Sequence, residues 1–195
     1  MNRSPMLKTV LWGVAALLVT GAAQAQPAWP AAKPIRIVVG FAPGGTTDVM
    51  ARTMAVSLSE ALGQTVIVDN KPGASGNVAA SEVIRSQPDG YTFLVAPTSF
   101  ETANPFLFKQ TISPAKDLTP VAGVGRSQMY VVVGAQSPFK DARELVAYAQ
   151  KNPAKLSYSS AGAGTPPHLA GELFKQSAKI YSVHIPYRGA APALQ

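Results

Sequence analysis

The sequence contains no cysteine among its 195 residues. That absence excludes a disulfide-stabilised scaffold, a thiol nucleophile, a cysteine-ligated zinc or iron–sulfur site and a lipid-modified cysteine behind a signal peptide. Charged residues are also few, at 14% of the chain. Lysine and arginine outnumber aspartate and glutamate by 17 to 10, but the basic residues are spread singly rather than clustered on one element. The sequence therefore predicts no nucleic-acid partner.

Sequence motifs of the common enzyme classes are absent as well. The pair Gly44 and Gly45 is followed by Thr-Thr-Asp, so there is no G-x-x-x-x-G-K-[ST] phosphate loop, and no G-x-G-x-x-G follows the first predicted strand. The sequence has no G-x-S-x-G nucleophile elbow. His168 and His184 have neither the H-E-x-x-H spacing nor cysteine partners, so no metal site is predicted.

Long apolar runs are missing except near the amino terminus. Arg3 and Lys8 precede an apolar run over 10–23, and Ala-Gln-Ala at 23–25 matches an A-x-A cleavage site. The run is shorter than the roughly 20 apolar residues of a membrane-spanning helix, which disfavours the alternative of an anchor. The pattern predicts a signal peptide over residues 1–25, cleaved before Gln26, and hence export.

The rest of the chain alternates β-branched runs, glycine-rich loops and amphipathic stretches. Residues 26–33 are rich in proline and alanine and predict a flexible lead-in. After it, helices are predicted to follow most of the strands, and Gly63 is placed at the end of the first helix. The predicted strands cover residues 35–41, 65–69, 91–95, 155–159 and 181–185. This order is typical of an α/β protein with a largely parallel sheet and helices on both faces.

The pattern is less regular in the middle of the chain. A short helix is predicted at 104–109, and the apolar runs 121–124 and 129–133 are predicted to be strands that cross between lobes. Regularity returns at Asp141, a residue type that caps helices, with Glu144 three residues later as in a capping box. A helix is therefore predicted to begin there.

Two glycine loops, 42–48 and 159–165, join the carboxyl end of a predicted strand to the amino end of a helix. Backbone N–H groups are unpaired at such a helix end and the helix dipole is positive there, which favours an anion. Glycine allows the backbone to approach a ligand, and nearby hydroxyls can donate hydrogen bonds to a carboxylate. The same glycines also suit ordinary tight turns, and the hydroxyls suit helix caps. Asp48 is expected to order its loop rather than to touch an anion.

Motifs distributed over residues 33–195 carry a family resemblance. They are Lys-Pro-Ile-Arg-Ile-Val-Val at 33–39, Ala-Pro-Gly-Gly-Thr-Thr-Asp at 42–48, Ala-Leu-Gly-Gln at 61–64, Asn-Lys-Pro-Gly-Ala-Ser-Gly-Asn at 70–77, Pro-Asp-Gly-Tyr-Thr at 88–92, Asn-Pro at 104–105, His-Leu-Ala-Gly-Glu at 168–172 and Pro-Tyr-Arg-Gly-Ala-Ala-Pro-Ala at 186–193. In order and spacing they resemble the Bug family, the substrate-binding receptors of tripartite tricarboxylate transporters.

The resemblance implies an α/β fold of the type II periplasmic binding protein kind, with two lobes of parallel-rich sheet flanked by helices. The lobes are placed at residues 34–125 and 126–195. It further implies a periplasmic protein that is not an enzyme, uses no cofactor and is a monomer. Such a receptor closes on a small carboxylate and presents it to the membrane permease subunits of a tripartite tricarboxylate transporter. The alternatives are a ligand-presenting partner of a membrane sensor kinase and an inactive fragment of such a receptor.

The resemblance also implies that the ligand carboxylate is held by backbone and hydroxyl groups of the two glycine loops. The ligand-binding residues so predicted are Ala42, Gly44, Gly45, Thr46, Asp48, Ser160, Ala161, Gly162, Gly164, Thr165, His168 and Arg188. Arg188 is the one nearby guanidinium and suits a solvent-facing position equally well. Because the loops hold no arginine pair, backbone capture of one carboxylate is favoured over a bidentate clamp.

Members of the family are longer than this sequence, which ends at Gln195. On the resemblance, the second lobe is therefore expected to be incomplete. The chain by itself is expected to bind carboxylates no more tightly than about millimolar, because contacts made on closure would be lacking. The residues do not indicate which carboxylate is bound.

Overall fold

Five strands form two separate parallel sheets in the computed structural model, which describes residues 28–109 and 113–195. The first sheet has the order β2-β1-β3, and the second pairs β4 with β5. The strands are β1 (Ile35–Val39), β2 (Val66–Asn70), β3 (Thr92–Val95), β4 (Ser157–Ser160) and β5 (Val183–Pro186). The predicted α/β class and the parallel pairing are confirmed. The predicted signal peptide lies outside the described residues.

The described helices follow the strands as the sequence pattern predicts. They are α1 (Thr46–Leu62), α2 (Asn77–Arg85), α3 (Ser99–Thr102), α4 (Asn104–Leu107), α5 (Pro114–Asp117), α6 (Ala142–Lys151), α7 (Pro166–Ala178) and α8 (Ala190–Ala193), with a 3₁₀ turn at Ala74–Gly76. Helix α1 ends at Gly63, whose φ of 59° is left-handed and therefore suits glycine. No described helix is both long and apolar enough to cross a membrane.

The core of the first lobe follows the two-residue period of β1. Ile37 and Val39 point to one face of the sheet and pack against Ala51 and Ala55 of α1. Val38 points to the opposite face and packs against α2. All three β1 side chains are at most 1% exposed. A strand buried on both faces and paired on both edges is fixed in place, so the loops at its carboxyl end have a rigid base.

The second lobe is built around β4 and β5, with α6 preceding β4 and α7 following it. The Asp141 carboxylate accepts hydrogen bonds from the backbone N–H groups of Arg143 and Glu144, which confirms the predicted cap of α6. Helix α7 packs on the sheet through Gly171, where a Cβ atom would overlap the ring of Tyr158. That contact needs a residue without a side chain in the middle of a helix.

The two strands predicted at 121–124 and 129–133 are wrong. Both runs lie in an extended segment, 118–134, which has no helix or strand assignment. Val121 is 78% exposed and Tyr130 is 76% exposed. β-branched and aromatic residues favour a strand only when a neighbouring backbone is available to pair with, and none of the described strands pairs with this segment. The predicted lobe boundary between residues 125 and 126 falls in this segment and stays a prediction.

The described part of the lead-in predicted at 26–33 contacts the segment that precedes β3, and its flexibility stays a prediction. The Trp29 ring nitrogen donates a hydrogen bond of 2.9 Å to the Gly90 carbonyl. The backbone N–H of Ala32 donates to the Tyr91 hydroxyl, and the Lys33 ammonium lies 2.7 Å from the Asp89 carboxylate. These contacts join residues more than fifty positions apart in the sequence, so the local proline- and alanine-rich pattern carries no signal for them.

Candidate functional site

A cleft lies between the two sheets, at the carboxyl ends of their strands. Its volume is about 170 Å³, below the roughly 300–1,000 Å³ of sites for drug-sized ligands, so it suits a small molecule. It is lined by Gly40, Phe41, Gly73, Ala74, Ser75, Phe108, Ala161, Gly162, Ala163, Pro186, Tyr187 and Arg188. Of these lining residues only Arg188 carries a charged side chain, and it is exposed. The cleft is thus walled mainly by backbone and small side chains from both lobes.

The first glycine loop is ordered by the carboxylate of Asp48. That side chain is 3% exposed and accepts hydrogen bonds from the Gly44 backbone N–H at 2.9 Å, the Arg52 guanidinium at 2.9 Å and the Asn70 amide at 2.8 Å. Burial alone would raise the pKa of Asp48, but these donors outweigh it and hold the pKa below its usual value. The Asp48 carboxylate therefore holds the Gly44 backbone in place, as expected for a residue that orders its loop.

The second glycine loop is ordered from within in a similar way. The Ser160 hydroxyl is buried and accepts a hydrogen bond of 3.1 Å from the Gly162 N–H. The Thr165 hydroxyl, 2% exposed, donates 2.6 Å to the Gly162 carbonyl. The Gly164 N–H donates 2.9 Å to Nδ1 of His168. Several polar groups predicted to meet a ligand are thus engaged inside the loop, whose cleft-lining members are Ala161, Gly162 and Ala163.

The two glycine loops do not meet directly; the entry to α8 lies between them. The Ala42 N–H donates 2.9 Å to the backbone carbonyl of Arg188, so Arg188 contacts the first loop through its main chain. A Cβ atom at Gly45 would lie 3.4 Å from the Ala190 backbone nitrogen. Thr46, the first residue of α1, is exposed. The first lobe's predicted site residues therefore face the start of α8 across a narrow gap.

A third strand-to-helix loop, the one after β2, also reaches the cleft and was not among the predicted site residues. Gly73, Ala74 and Ser75 line the cleft, and the Ser75 hydroxyl lies 3.0 Å from where a Cβ at Gly162 would be. The sequence carries a signal for it, because the Gly/Pro-rich stretch before α2 resembles the other two loops. Its backbone lies so close to β1 that a Cβ at Gly40 would be 2.5 Å from the Gly76 Cα.

A cluster of titratable side chains lies beside the second loop. His168, His184 and Tyr158 stack on one another, and Glu172 accepts hydrogen bonds from the Tyr158 hydroxyl at 2.6 Å and from Lys175. Burial, and then the bond to Glu172, raises the pKa of Tyr158, so it stays protonated. Among the described residues no group of three or more His, Cys, Asp or Glu side chains could hold a metal ion.

Comparison with known families matches residues 50–195 to the model described as the tripartite tricarboxylate transporter family receptor. Protein BugT of Bordetella pertussis is 34% identical over 165 residues, which are 84% of this chain and 51% of that protein. A UPF0065 protein from the gbd 5′ region of Cupriavidus necator is 40% identical over 174 residues, which are 89% of this chain and 53% of that protein. The chain thus spans about half the length of the curated relatives it matches.

Solved structures show the same architecture. A Rhodopseudomonas palustris protein with adipate is 35% identical with a TM-score of 0.75, over 85% of this chain and 56% of that one. MatC from R. palustris with bound malate is 31% identical with a TM-score of 0.72, over 86% of this chain and 57% of that one. The periplasmic binding protein BugD is 35% identical with a TM-score of 0.71, over 83% and 54%. The fold is that of the periplasmic binding proteins.

Proposed function

The chain belongs to the tripartite tricarboxylate transporter receptor family, and we propose that it captures a small carboxylate in its cleft and delivers it to the permease subunits of such a transporter. The observation that carries the proposal is the cleft itself, placed at the carboxyl ends of parallel strands from both sheets, where open α/β folds bind ligands. Adipate and malate are bound by two structural neighbours, which supports a carboxylate as the ligand.

The cleft-lining groups suit capture of an anion without a buried cation. Ala161 and Ala163 line the cleft with backbone and small side chains, Ser75 adds a hydroxyl group, and backbone capture requires little desolvation of fixed charge. The Arg188 side chain, exposed at the rim, attracts an anion and can pair with a second carboxylate. Asp48, His168 and their partners act as supports that hold the loops in place. The proposed receptor is not an enzyme and acts as a monomer.

Isothermal titration calorimetry of the full-length protein tests the proposal. We expect saturable binding of a small dicarboxylate such as malate or adipate, and none of adipamide, which matches adipate in shape but lacks its charge. Co-purification from membranes should recover permease subunits, whereas recovery of a sensor kinase would favour a sensing role instead. Equal binding of adipate and adipamide, or of neither, would contradict carboxylate capture.

Export is the second part of the proposal. With Arg3 and Lys8 ahead of the apolar run, we expect a Gram-negative host to release the protein into osmotic-shock fluid with Gln26 as its first residue. Mass spectrometry of the intact released protein reads its amino terminus directly. A Lys8→Glu variant, which weakens the basic region, is expected to accumulate as precursor. Recovery of the wild-type chain with Met1 in the membrane pellet would overturn the interpretation.

A further inference from the structure

A column of three aromatic rings lies beside the second glycine loop. Tyr158 of β4 stacks on His184 of β5 with ring centroids 4.8 Å apart, and His184 stacks on His168 of α7 at 4.1 Å. The ring planes of the two histidines lie within 23° of parallel. Both imidazoles are hydrogen-bonded to residues of the loop, His184 to Ser160 and His168 to Gly164, so the column connects the sheet to the loop.

His168 holds the loop through one nitrogen. A backbone N–H can only donate, so Nδ1 of His168 accepts the 2.9 Å hydrogen bond from Gly164 and carries no proton. The neutral ring therefore has its proton on Nε2, which lies 4.0 Å from the Glu172 carboxylate. A second proton on the ring has to go to Nδ1, where it would face the Gly164 N–H. Protonation of His168 and this hydrogen bond exclude each other.

His184 acts on the same loop through Ser160. Nε2 of His184 lies 2.7 Å from the Ser160 hydroxyl, which in turn accepts from the Gly162 N–H. Burial, and then the neighbouring His168, lowers the pKa of His184. Two imidazoles stacked face to face cannot both be charged without strong repulsion, because their centroids are only 4.1 Å apart. At most one ring of the pair therefore carries a charge at a time.

We propose that His168 is a positioning residue that keeps the second glycine loop in its ligand-binding conformation only while it is neutral, so that mild acid releases the bound carboxylate. This inference rests on the proposed carboxylate-binding function. On this proposal, His168 affects the carboxylate affinity without touching the ligand. Gly164 is the element it positions, and Ala161 and Gly162 are the cleft-lining residues that move with it.

Glu172 and Lys175 of α7 are the charged groups that face the histidine pair. The Glu172 carboxylate lies 4.0 Å from Nε2 of His168 and is also engaged by Lys175 and by the Tyr158 hydroxyl of β4. Those two donors, Lys175 first, lower the pKa of Glu172. Glu172 is therefore a partner shared by three side chains.

Nuclear magnetic resonance of the full-length protein tests the coupling without any ligand. At about pH 8 the ¹⁵N shifts of His168 should show an unprotonated, hydrogen-bonded Nδ1 and a protonated Nε2. On acidification to about pH 5.5 the Gly164 amide resonance should shift along the same titration curve as His168. A His168 ring that carries its proton on Nδ1 at high pH, or a Gly164 amide that does not follow the titration, would overturn the inference.

Carboxylate affinity provides the second measurement, with His168→Asn as the matched variant. The asparagine oxygen can occupy the place of Nδ1 and accept from Gly164, but it does not titrate. Wild type should lose about tenfold in malate affinity between about pH 8 and about pH 5.5, and His168→Asn less than about twofold. His168→Ala should bind malate weakly at both pH values. Protonation of malate itself would affect all variants equally.

The outcomes separate this inference from the proposed function. If malate and adipate bind but the affinity of wild type is independent of pH, or falls as steeply in His168→Asn, then His168 has no positioning role and carboxylate capture stands. If neither ligand binds at any pH, the proposed function fails, and the resonance experiment alone decides whether His168 controls the loop.

Discussion

Replacing Asp48 with alanine is expected to lower the free energy of unfolding by about 3 kcal/mol. The change removes an almost fully buried carboxylate and leaves the Gly44 N–H and the Asn70 amide without their shared acceptor. Both donors lie in the part of the first lobe that carries the cleft loops, so the loop and the edge of the sheet are weakened together. Urea denaturation at neutral pH, followed by circular dichroism, measures the effect.

Asp89→Ala is the matched control for Asp48→Ala. Asp89 also accepts a backbone N–H, from Tyr91, and also pairs with a basic side chain, Lys33. Its side chain is 35% exposed against 3% for Asp48. Water can replace the lost partners at an exposed site, so the midpoint of unfolding should barely change. A similar loss in both variants would show that burial of Asp48 is not what makes its hydrogen bonds important.

The pH dependence of stability gives an independent check on Asp48. Its pKa is lower in the folded protein than in the unfolded chain, so its stabilising contribution is complete above the ordinary carboxyl pKa of about 3.9. That contribution disappears as the pH falls through the lowered, folded-state value. Asp48→Asn should therefore be less stable than wild type at neutral pH, and the gap should narrow towards about pH 3. A gap that stays constant with pH would contradict the assignment.

Gly45→Val is expected to weaken malate binding at least about 100-fold in the full-length protein while leaving it folded. Gly45 has a φ of −82°, so a side chain creates no backbone strain. Its Cβ would sit 3.4 Å from the Ala190 nitrogen and 3.5 Å from the Ala190 Cβ, and the branched carbons of valine would extend into the gap between the first loop and α8. The lobes then cannot approach closely enough to share a ligand.

Gly45→Ala is the control for Gly45→Val, because a single methyl group at those distances makes ordinary contact. Its affinity should stay within about threefold of wild type, while thermal unfolding confirms that both variants are folded. Calorimetry with malate measures the affinities of both variants. An unchanged affinity in a folded Gly45→Val protein would mean that the first loop is an ordinary turn and that closure occurs elsewhere.

The elements that the sequence predicts well are those specified by neighbours along the chain. The β-branched run at 35–39, the helix ending at Gly63 and the cap at Asp141 all depend on residues within a few positions of one another. The structure confirms each of them. The strands predicted at 121–124 and 129–133 failed because pairing depends on a partner strand, which side-chain pattern alone does not reveal.

The site was predicted only in outline, since its details depend on contacts between distant residues. Three residues of the second glycine loop line the cleft, none of the first loop does, and Asp48 orders its loop as expected. That the Gly44 and Gly164 amides are already engaged by Asp48 and His168 could not be predicted, because either side chain could have pointed elsewhere. The cleft-lining position of Ser75 was not predicted, although its loop resembles the other two in composition. Ligand contacts of individual residues stay a prediction.

The anchored segment at residues 29–33 lies at the amino-terminal ends of β1 and β3, whereas the cleft opens at their carboxyl ends. The five residues of β1 separate this segment from the cleft by about 17 Å. If the proposed signal peptide precedes this segment, it joins the first lobe at the end of the sheet opposite the cleft. On that proposal, removal of the peptide and capture of a solute take place at different ends of the sheet.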